Sequence, residues 1–266
     1  MKVFSSWSGG KECALATYKA ISQDHEVLYL LNFVTEDGQR SRSHGTKASV
    51  VALQAEAIGI PIIQVKTSWE NYEENFKKAV RELKNKGIDG GVFGDMDLEE
   101  HREWVERVCG EVGIEALSPL WGIKPEKLLE ELLKLKFKAI VVATRLDEHF
   151  LGKVLDRALV RQISKLGSHP CGENGEYHTF VTDGPIFRKA LKITRGESKK
   201  RDNIWFWDIS AKVIARGEAP KQSRQIPRSR SEQGLPRSRL PARRTTSAGE
   251  PSLGGQVARN DRSEGL

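Results

Sequence analysis

Two glycine-rich stretches carry residue types that could do chemistry. In the first, Val3-Phe4-Ser5 runs into Ser8-Gly9-Gly10-Lys11-Glu12-Cys13 and then into a helical pattern. Adjacent glycines let the backbone turn tightly and approach a ligand without Cβ clashes. A helix starting there offers unpaired N–H groups and the positive end of its dipole, while Ser8 and Lys11 add a hydroxyl and a cation. That combination suits a polyphosphate; the plain alternative is an ordinary strand-to-helix turn. Neither Gly-x-Gly-x-x-Gly nor Gly-x-x-x-x-Gly-Lys-Ser/Thr is present, which argues against a dinucleotide-binding dehydrogenase and a Walker-type nucleotidase.

The second stretch is Pro170-Cys171-Gly172-Glu173-Asn174-Gly175-Glu176-Tyr177-His178-Thr179. Gly172 and Gly175 bracket Glu173-Asn174 and place two carboxylates three residues apart. If Glu176 opens a strand, Glu176 and His178 share one face, and Tyr177 and Thr179 the other. Such a set could grip a cationic or amide substrate, deprotonate ammonium or hold Mg²⁺. A solvated Gly/Asn turn is the alternative. Cys13 at a helix N-terminus could have a lowered pKa, but a small residue at a ligand-contacting position is the simpler reading. His25, His101, His149 and His169 lack ligand-like spacing and suit surface or supporting roles.

The elements that must position these loops alternate. Strands are expected at Val3–Ser5, Val27–Phe33, Ile62–Val65 and Gly91–Gly94. Helices are expected at about Lys11–Ile21, Thr46–Ile58, Trp69–Lys86, Leu98–Glu111 and, opened by Pro125, as far as Leu135. Ala139–Ala143 is a further apolar run of the kind buried on both faces. The alternation predicts an α/β fold with a parallel sheet and helices on both faces. The rhythm changes afterwards, with strands expected at Glu176–Thr182 and Trp205–Ile214. The division is set near Leu146, giving a first domain 1–146 and a smaller subdomain 147–216.

The chain has 266 residues, 43 Lys+Arg against 36 Asp+Glu, and a net charge of +7. Residues 217–266 hold 10 basic and 5 acidic residues, five of the ten prolines and no aromatic residue. That composition predicts a disordered basic tail, since it cannot bury enough apolar surface to offset its ordering entropy. The remaining 216 residues are nearly neutral, so a nucleic-acid partner is not expected. No run reaches the ~18 apolar residues of a membrane helix and no signal peptide opens the chain, so no membrane partner is expected. Three widely spaced cysteines exclude a disulfide scaffold and fit a cytoplasmic location.

Ser8-Gly9-Gly10-Lys11-Glu12-Cys13 resembles the PP-loop of the N-type ATP pyrophosphatases, with Glu12 for the usual Asp and Cys13 for the usual Ser. Gly172–Tyr177 resembles the Gly-Glu-x-Gly-Glu-Tyr/Phe signature of the diphthine–ammonia ligase family. Arg42-Ser43-His44-Gly45, Gly91–Asp95, Ser118-Pro119-Leu120-Trp121, Phe150-Leu151-Gly152 and Asp183–Phe187 are similar to it in the same order. His178 stands where many relatives carry an acidic residue.

The resemblance implies a HUP-like (adenine nucleotide alpha hydrolase-like) parallel-sheet domain followed by a smaller C-terminal α+β subdomain. It implies an ATP-dependent ligase that adenylates a carboxylate, releases pyrophosphate, and lets ammonia displace AMP. The implied acceptor is diphthine on elongation factor 2. Ser8, Gly9, Gly10, Lys11, Glu12, Cys13, His44, Gly45, Gly94 and Asp95 would hold ATP, with Mg²⁺ on Asp95. Gly172, Glu173, Gly175, Glu176, Tyr177, His178 and Thr179 would form the acceptor and ammonium pocket. Lys11, Glu173 and Glu176 would be catalytic. Two other readings remain: an ATP-binding paralogue with another acceptor or no turnover, and a tRNA-thiolating PP-loop enzyme. The absence of Cys-x-x-Cys weighs against the last.

Overall fold

Val27–Val34 is apolar on both faces, and the structure buries it at the heart of a parallel sheet. The computed structural model describes residues 1–215; the tail expected over 217–266 lies outside the described residues. Strands β1 (Lys2–Ser6), β2 (Glu26–Val34), β3 (Ile62–Lys66), β4 (Gly90–Val92) and β5 (Glu115–Leu117) form one sheet, in the order β3-β2-β1-β4-β5 and all parallel. Helices α1 (Lys11–Ser22), α2 (Ala48–Ile58), α3 (Tyr72–Asn85) and α4 (Glu99–Val112) connect them. Strand order reverses beside β1, and in such sheets the crevice at the carboxyl ends of the strands is where ligands bind. The Ser8–Gly10 loop leaves the end of β1 there, and Gly94–Asp97 follows β4 nearby.

The two faces of this sheet are covered differently. Phe76, Val80 and Leu83 of α3 and Val105, Val108 and Val112 of α4 pack with Phe4, Leu31 and Phe33 on one side. On the other side, Ala14 and Leu15 of α1 and Val50, Val51 and Ile58 of α2 join Val3 and Leu30. That second core continues outward into the rest of the chain.

After α5 (Pro125–Lys134), strand β6 (Lys138–Thr144), helix α6 (Arg157–Lys165) and strands β7 (Tyr177–Asp183), β8 (Ala190–Arg201) and β9 (Ile204–Ile214) complete the described chain. The second sheet runs β7-β6-β9-β8 and is antiparallel. This corrects one expectation: Ala139–Ala143 is not part of the parallel sheet. Its apolar character reflects a central position between β7 and β9, which buries both faces as a parallel sheet would. The change of sheet therefore falls between β5 and β6, upstream of Leu146.

Phe180, Val181, Leu191 and Ile209 of the second sheet join the core made by α1 and α2. Backbone N–H groups of Arg188 and Lys189 both donate to Ala57 O, each at 2.9 Å. The start of α1 is thus held between the parallel sheet and β7. Among the described residues no helix is long and apolar enough to cross a membrane.

Candidate active site

The Ser8–Gly10 loop is built for close approach. Gly9 has φ +88, and a Cβ there would sit 2.9 Å from Gln54 Oε1 and 3.2 Å from the Phe180 ring. A Cβ on Gly10 would sit 2.5 Å from His44 Cε1. Gln54, fully buried on α2, accepts from Trp7 Nε1 at 2.9 Å and donates to Gly9 O at 3.0 Å and Val181 O at 2.6 Å. Val181 N donates to Gly9 O at 2.9 Å, and Lys11 N donates to Thr179 Oγ1 at 3.1 Å. Ser8 Oγ accepts from Gly10 N at 3.3 Å. Strand β7 therefore holds the loop from the second sheet.

Lys11 is the meeting point of the two glycine stretches. Its side chain is 2% exposed. Nζ donates to Cys171 O at 2.6 Å, lies 2.6 Å from Glu12 Oε1, and sits 4.7 Å above the Tyr177 ring. Burial opposes its charge, but the surrounding Glu12, Tyr177, Cys171 and Glu173 outweigh burial and hold its pKa above the ordinary value. An ammonium has three N–H donors; Cys171 O takes one, and Glu12 pairs with the charge. Glu12 Oε1 is buried and, despite the short ion pair, accepts no aligned hydrogen bond.

The second loop is fastened by its own residues. Glu176 accepts from His169 N at 2.7 Å and Asn174 N at 3.0 Å. Tyr177 Oη donates to Pro170 O at 2.6 Å. His169 Nδ1 accepts from Cys171 N at 3.2 Å, and its Nε2 lies 3.2 Å from Asp97 Oδ2, tying this loop to the one after β4. Gly172 has φ +74, and a Cβ there would collide with Tyr177 O at 2.6 Å.

Two electrostatic environments flank Lys11. On one side, burial and then the charges of Glu12, Asp97 and Asp95 push the Glu173 carboxyl up to about 8, against the pull of Lys11. On the other, the rings of His44 and His178 stack with centroids 4.5 Å apart. Burial, then Lys11 and Arg145, push His178 down to about 4. Burial, His178 and Lys11 likewise push His44 well below its ordinary value. The pair is therefore neutral at pH 7, and His44 Nδ1 is buried without a hydrogen-bond partner.

The structure brings together most of the residues singled out from sequence: Ser8, Gly9, Gly10, Lys11, Glu12 and Cys13 with His44, Glu173, Tyr177, His178 and Thr179. Gly94 lets the loop after β4 touch α1, since its Cβ would meet Cys13 N at 3.0 Å. Asp95 follows it and lies 3.3 Å from His101 Nδ1. Gly45 serves the backbone: its carbonyl accepts from Arg40 Nη1 at 2.8 Å. Glu176 spends its carboxylate on loop N–H groups. Cys13 Sγ lies 3.2 Å from Gly10 O, and burial raises its thiol pKa, so it is no reactive thiolate. His169 has a supporting role, and Gln54 was not singled out from sequence. For Gln54 a signal existed: it is the uncharged amide on the otherwise apolar face Val50, Val51, Ala55, Ile58.

Among the described residues no group of three or more His, Cys, Asp or Glu could hold a metal ion. Mg²⁺ arriving with phosphates needs only one or two carboxylates, and Glu12, with an unsatisfied buried oxygen beside Gly94-Asp95, fits that role.

Residues 1–116 match the family model described as Diphthamide synthase N-terminal domain, and 124–218 match Diphthamide synthase C-terminal domain. The diphthine–ammonia ligase of Schizosaccharomyces pombe is 32% identical over 223 residues, 74% of this chain and 37% of that protein. Those of Rattus norvegicus and Homo sapiens are each 30% identical over 74% of this chain, covering 85% and 84% of their own lengths. The chain thus spans little more than a third of the yeast protein and most of the mammalian ones. Among solved structures, a predicted subunit of a tRNA methyltransferase from Methanocaldococcus jannaschii covers 69% of this chain and 97% of its own at 14% identity and TM-score 0.40, too slight a likeness to build on.

Proposed function

The chain belongs to the diphthamide synthase family, and from that premise we propose that it uses ATP to join ammonia to the carboxylate of diphthine, releasing AMP and pyrophosphate. The observation that carries the residue assignment is Lys11, buried where the two glycine stretches meet, with N–H donors beyond the one given to Cys171 O for a phosphate oxygen. We assign elongation factor 2 as the protein bearing the diphthine, and a cytoplasmic location, which suits three buried free cysteines.

The acceptor carboxylate attacks the α-phosphorus of ATP and pyrophosphate leaves. Ammonia then attacks the acyl carbon and AMP leaves, giving the amide. The substrate supplies the nucleophile, so the protein's part is positioning and charge stabilisation. Lys11 and the N-terminus of α1 face the leaving pyrophosphate, and Ser8, Gly9 and Gly10 shape the loop around it. His44, neutral and with Nδ1 unpartnered, is placed to hydrogen-bond the nucleotide. Glu12 and Asp95 would hold Mg²⁺, which supplies charge neutralisation on the phosphates.

Ammonium must lose a proton before it attacks. Glu173, pushed up to about 8, is the carboxylate matched to that transfer near neutral pH. Tyr177, Thr179 and His178 wall the acceptor side, and Glu176 fixes the loop that carries Glu173. The test is incubation with ATP, ammonium and diphthine-bearing elongation factor 2. The expected result is acceptor-dependent AMP release and conversion of the carboxylate to the amide by mass spectrometry. AMP release without amide, or neither product, overturns the reading.

A further inference from the structure

The outer half of β8 lies on the exposed edge of the second sheet, with Ser198 Oγ bonded to Glu148 Oε1. Every residue from Thr194 to Arg201 is exposed. Strand β9 pairs with β6 through Ala143–Phe206 and Thr144–Trp205, close to the hairpin turn, and β8 forms the sheet's edge. Between Arg188 and Arg201 seven Lys or Arg residues face a single acidic one, Glu197. Charged edge strands commonly serve only to prevent pairing between copies. Two observations go beyond that.

One is continuity with the cleft. Thr144 pairs with Tyr177 on one side and Trp205 on the other. Trp205 pairs in turn with Lys200 of β8, so three inter-strand spacings, about 14 Å, separate that lysine's backbone from Tyr177, the residue beneath Lys11 Nζ. The hairpin is also tied to the His44 loop. Asp208, with a 7% exposed side chain, lies 3.3 Å from Arg40 Nη1, and Arg40 donates to Gly45 O. The other is the sign of the charge. Asp208 already draws Arg40, Lys47 and Lys199, while among the described residues Lys192, Lys200 and Arg201 form no ion pair. Lys200 instead lies 5.0 Å over the Trp205 ring.

We propose that this basic arm docks the acceptor protein, through an acidic surface beside the side chain being amidated; the inference rests on the ligase reading. A stable protein contact buries on the order of 1,000 Å² or more, which a cleft receiving one side chain does not provide. The arm supplies exposed area at the cleft's rim. The chain's own residues 217–266 carry +5, so they do not complement it, and a basic face selects an acidic partner.

The test compares the wild-type protein with the double variant Lys200→Glu, Arg201→Glu. Binding to diphthine-bearing elongation factor 2 is measured without ATP at two salt concentrations. The expected result is a Kd raised about tenfold or more, with a flattened salt dependence and unchanged ATP affinity. An unchanged Kd overturns the docking inference, as does a wild-type protein that does not bind the acceptor. Equal acceptor binding with loss of affinity for a polyuridylate oligomer assigns the arm to nucleic acid and overturns it too. Wild-type binding with no amidation breaks the ligase reading and leaves the docking surface standing.

Discussion

The two glycine loops meet at Lys11 but are held in opposite ways. The first takes its partners from far along the chain: Gln54 and Val181 for Gly9 O, Thr179 for Lys11 N. The second is fastened chiefly within itself, by Glu176 to His169 and Asn174 and by Tyr177 to Pro170, with Lys11 Nζ on Cys171 O and Asp97 beside His169 as its outside contacts. The phosphate loop is thus shaped by the docking of the second sheet, while the acceptor loop carries its own scaffold. A change in α2 or β7 should disturb nucleotide binding more than a change within the second loop does.

Lys11→Ala should have the largest effect. It removes the cation shared by both loops and the ion-pair partner of Glu12. A loss of kcat of about a thousandfold, the upper range for one charge-stabilising group, is expected in pyrophosphate release. Turnover within tenfold of wild type would remove Lys11 from the mechanism. Glu173→Gln should follow, at about a hundredfold. In the wild type the rate should rise with pH as Glu173 loses its proton through about 8, and the Gln variant should lose that limb. Because the folded pKa is raised, Glu173's contribution to stability is present below the ordinary carboxylate range and is lost as pH rises through about 8.

Gln54→Leu separates the loops directly. It leaves the Trp7 N–H and the Val181 carbonyl without their partner, at about 1–3 kcal/mol each, and frees Gly9 from one of its two tethers. Weaker ATP binding with the second loop intact is expected, read from thermal shift with and without ATP. Glu176→Gln, the matching change in the second loop, keeps one acceptor oxygen and should cost about 1–2 kcal/mol. Its effect should fall on the acceptor KM, with ATP affinity unchanged. If Gln54→Leu spares ATP binding and Glu176→Gln destroys it, the contrast between the loops is wrong.

How much of this was legible follows the same divide. Both loops announced themselves by residue type, and the parallel strands by apolar runs. What holds the first loop could not be read locally, because Lys11 N and Thr179 Oγ1 lie 168 residues apart. The sheet of Ala139–Ala143 was misassigned because central burial looks alike in parallel and antiparallel surroundings. Strand β8 went unread: Ala190–Arg201 is exposed along its outer half and has no apolar alternation there. Helix α6 buries only Leu159 and Ile163, and β5 is three residues long. Glu176 looked catalytic from its spacing, since a sequence does not show that two loop N–H groups already occupy a carboxylate.

The smallest expected effect concerns the stacked histidines that bridge the two regions, His44 from the loop after β2 and His178 from β7. His178 is pushed down to about 4 and His44 is also depressed. The native chain therefore binds these protons more weakly than the unfolded chain does. The stability that comes from keeping them neutral is complete above the ordinary histidine range and is lost as pH falls through the native value. Between about pH 6.5 and 4 the unfolding free energy read from urea titration should drop, by about 1 kcal/mol for His178 once solvent screening at its partly exposed ring is allowed for. His178→Phe retains a ring against His44 and cannot titrate, so its midpoint should vary less with pH over that window. Since both rings adjoin the phosphate loop, ATP should protect the wild-type protein against acid more than it protects the variant. An identical acid profile for the two proteins would mean that the histidine stack does not couple the second sheet to the nucleotide loop, and would leave Gln54 and Thr179 as the links between them.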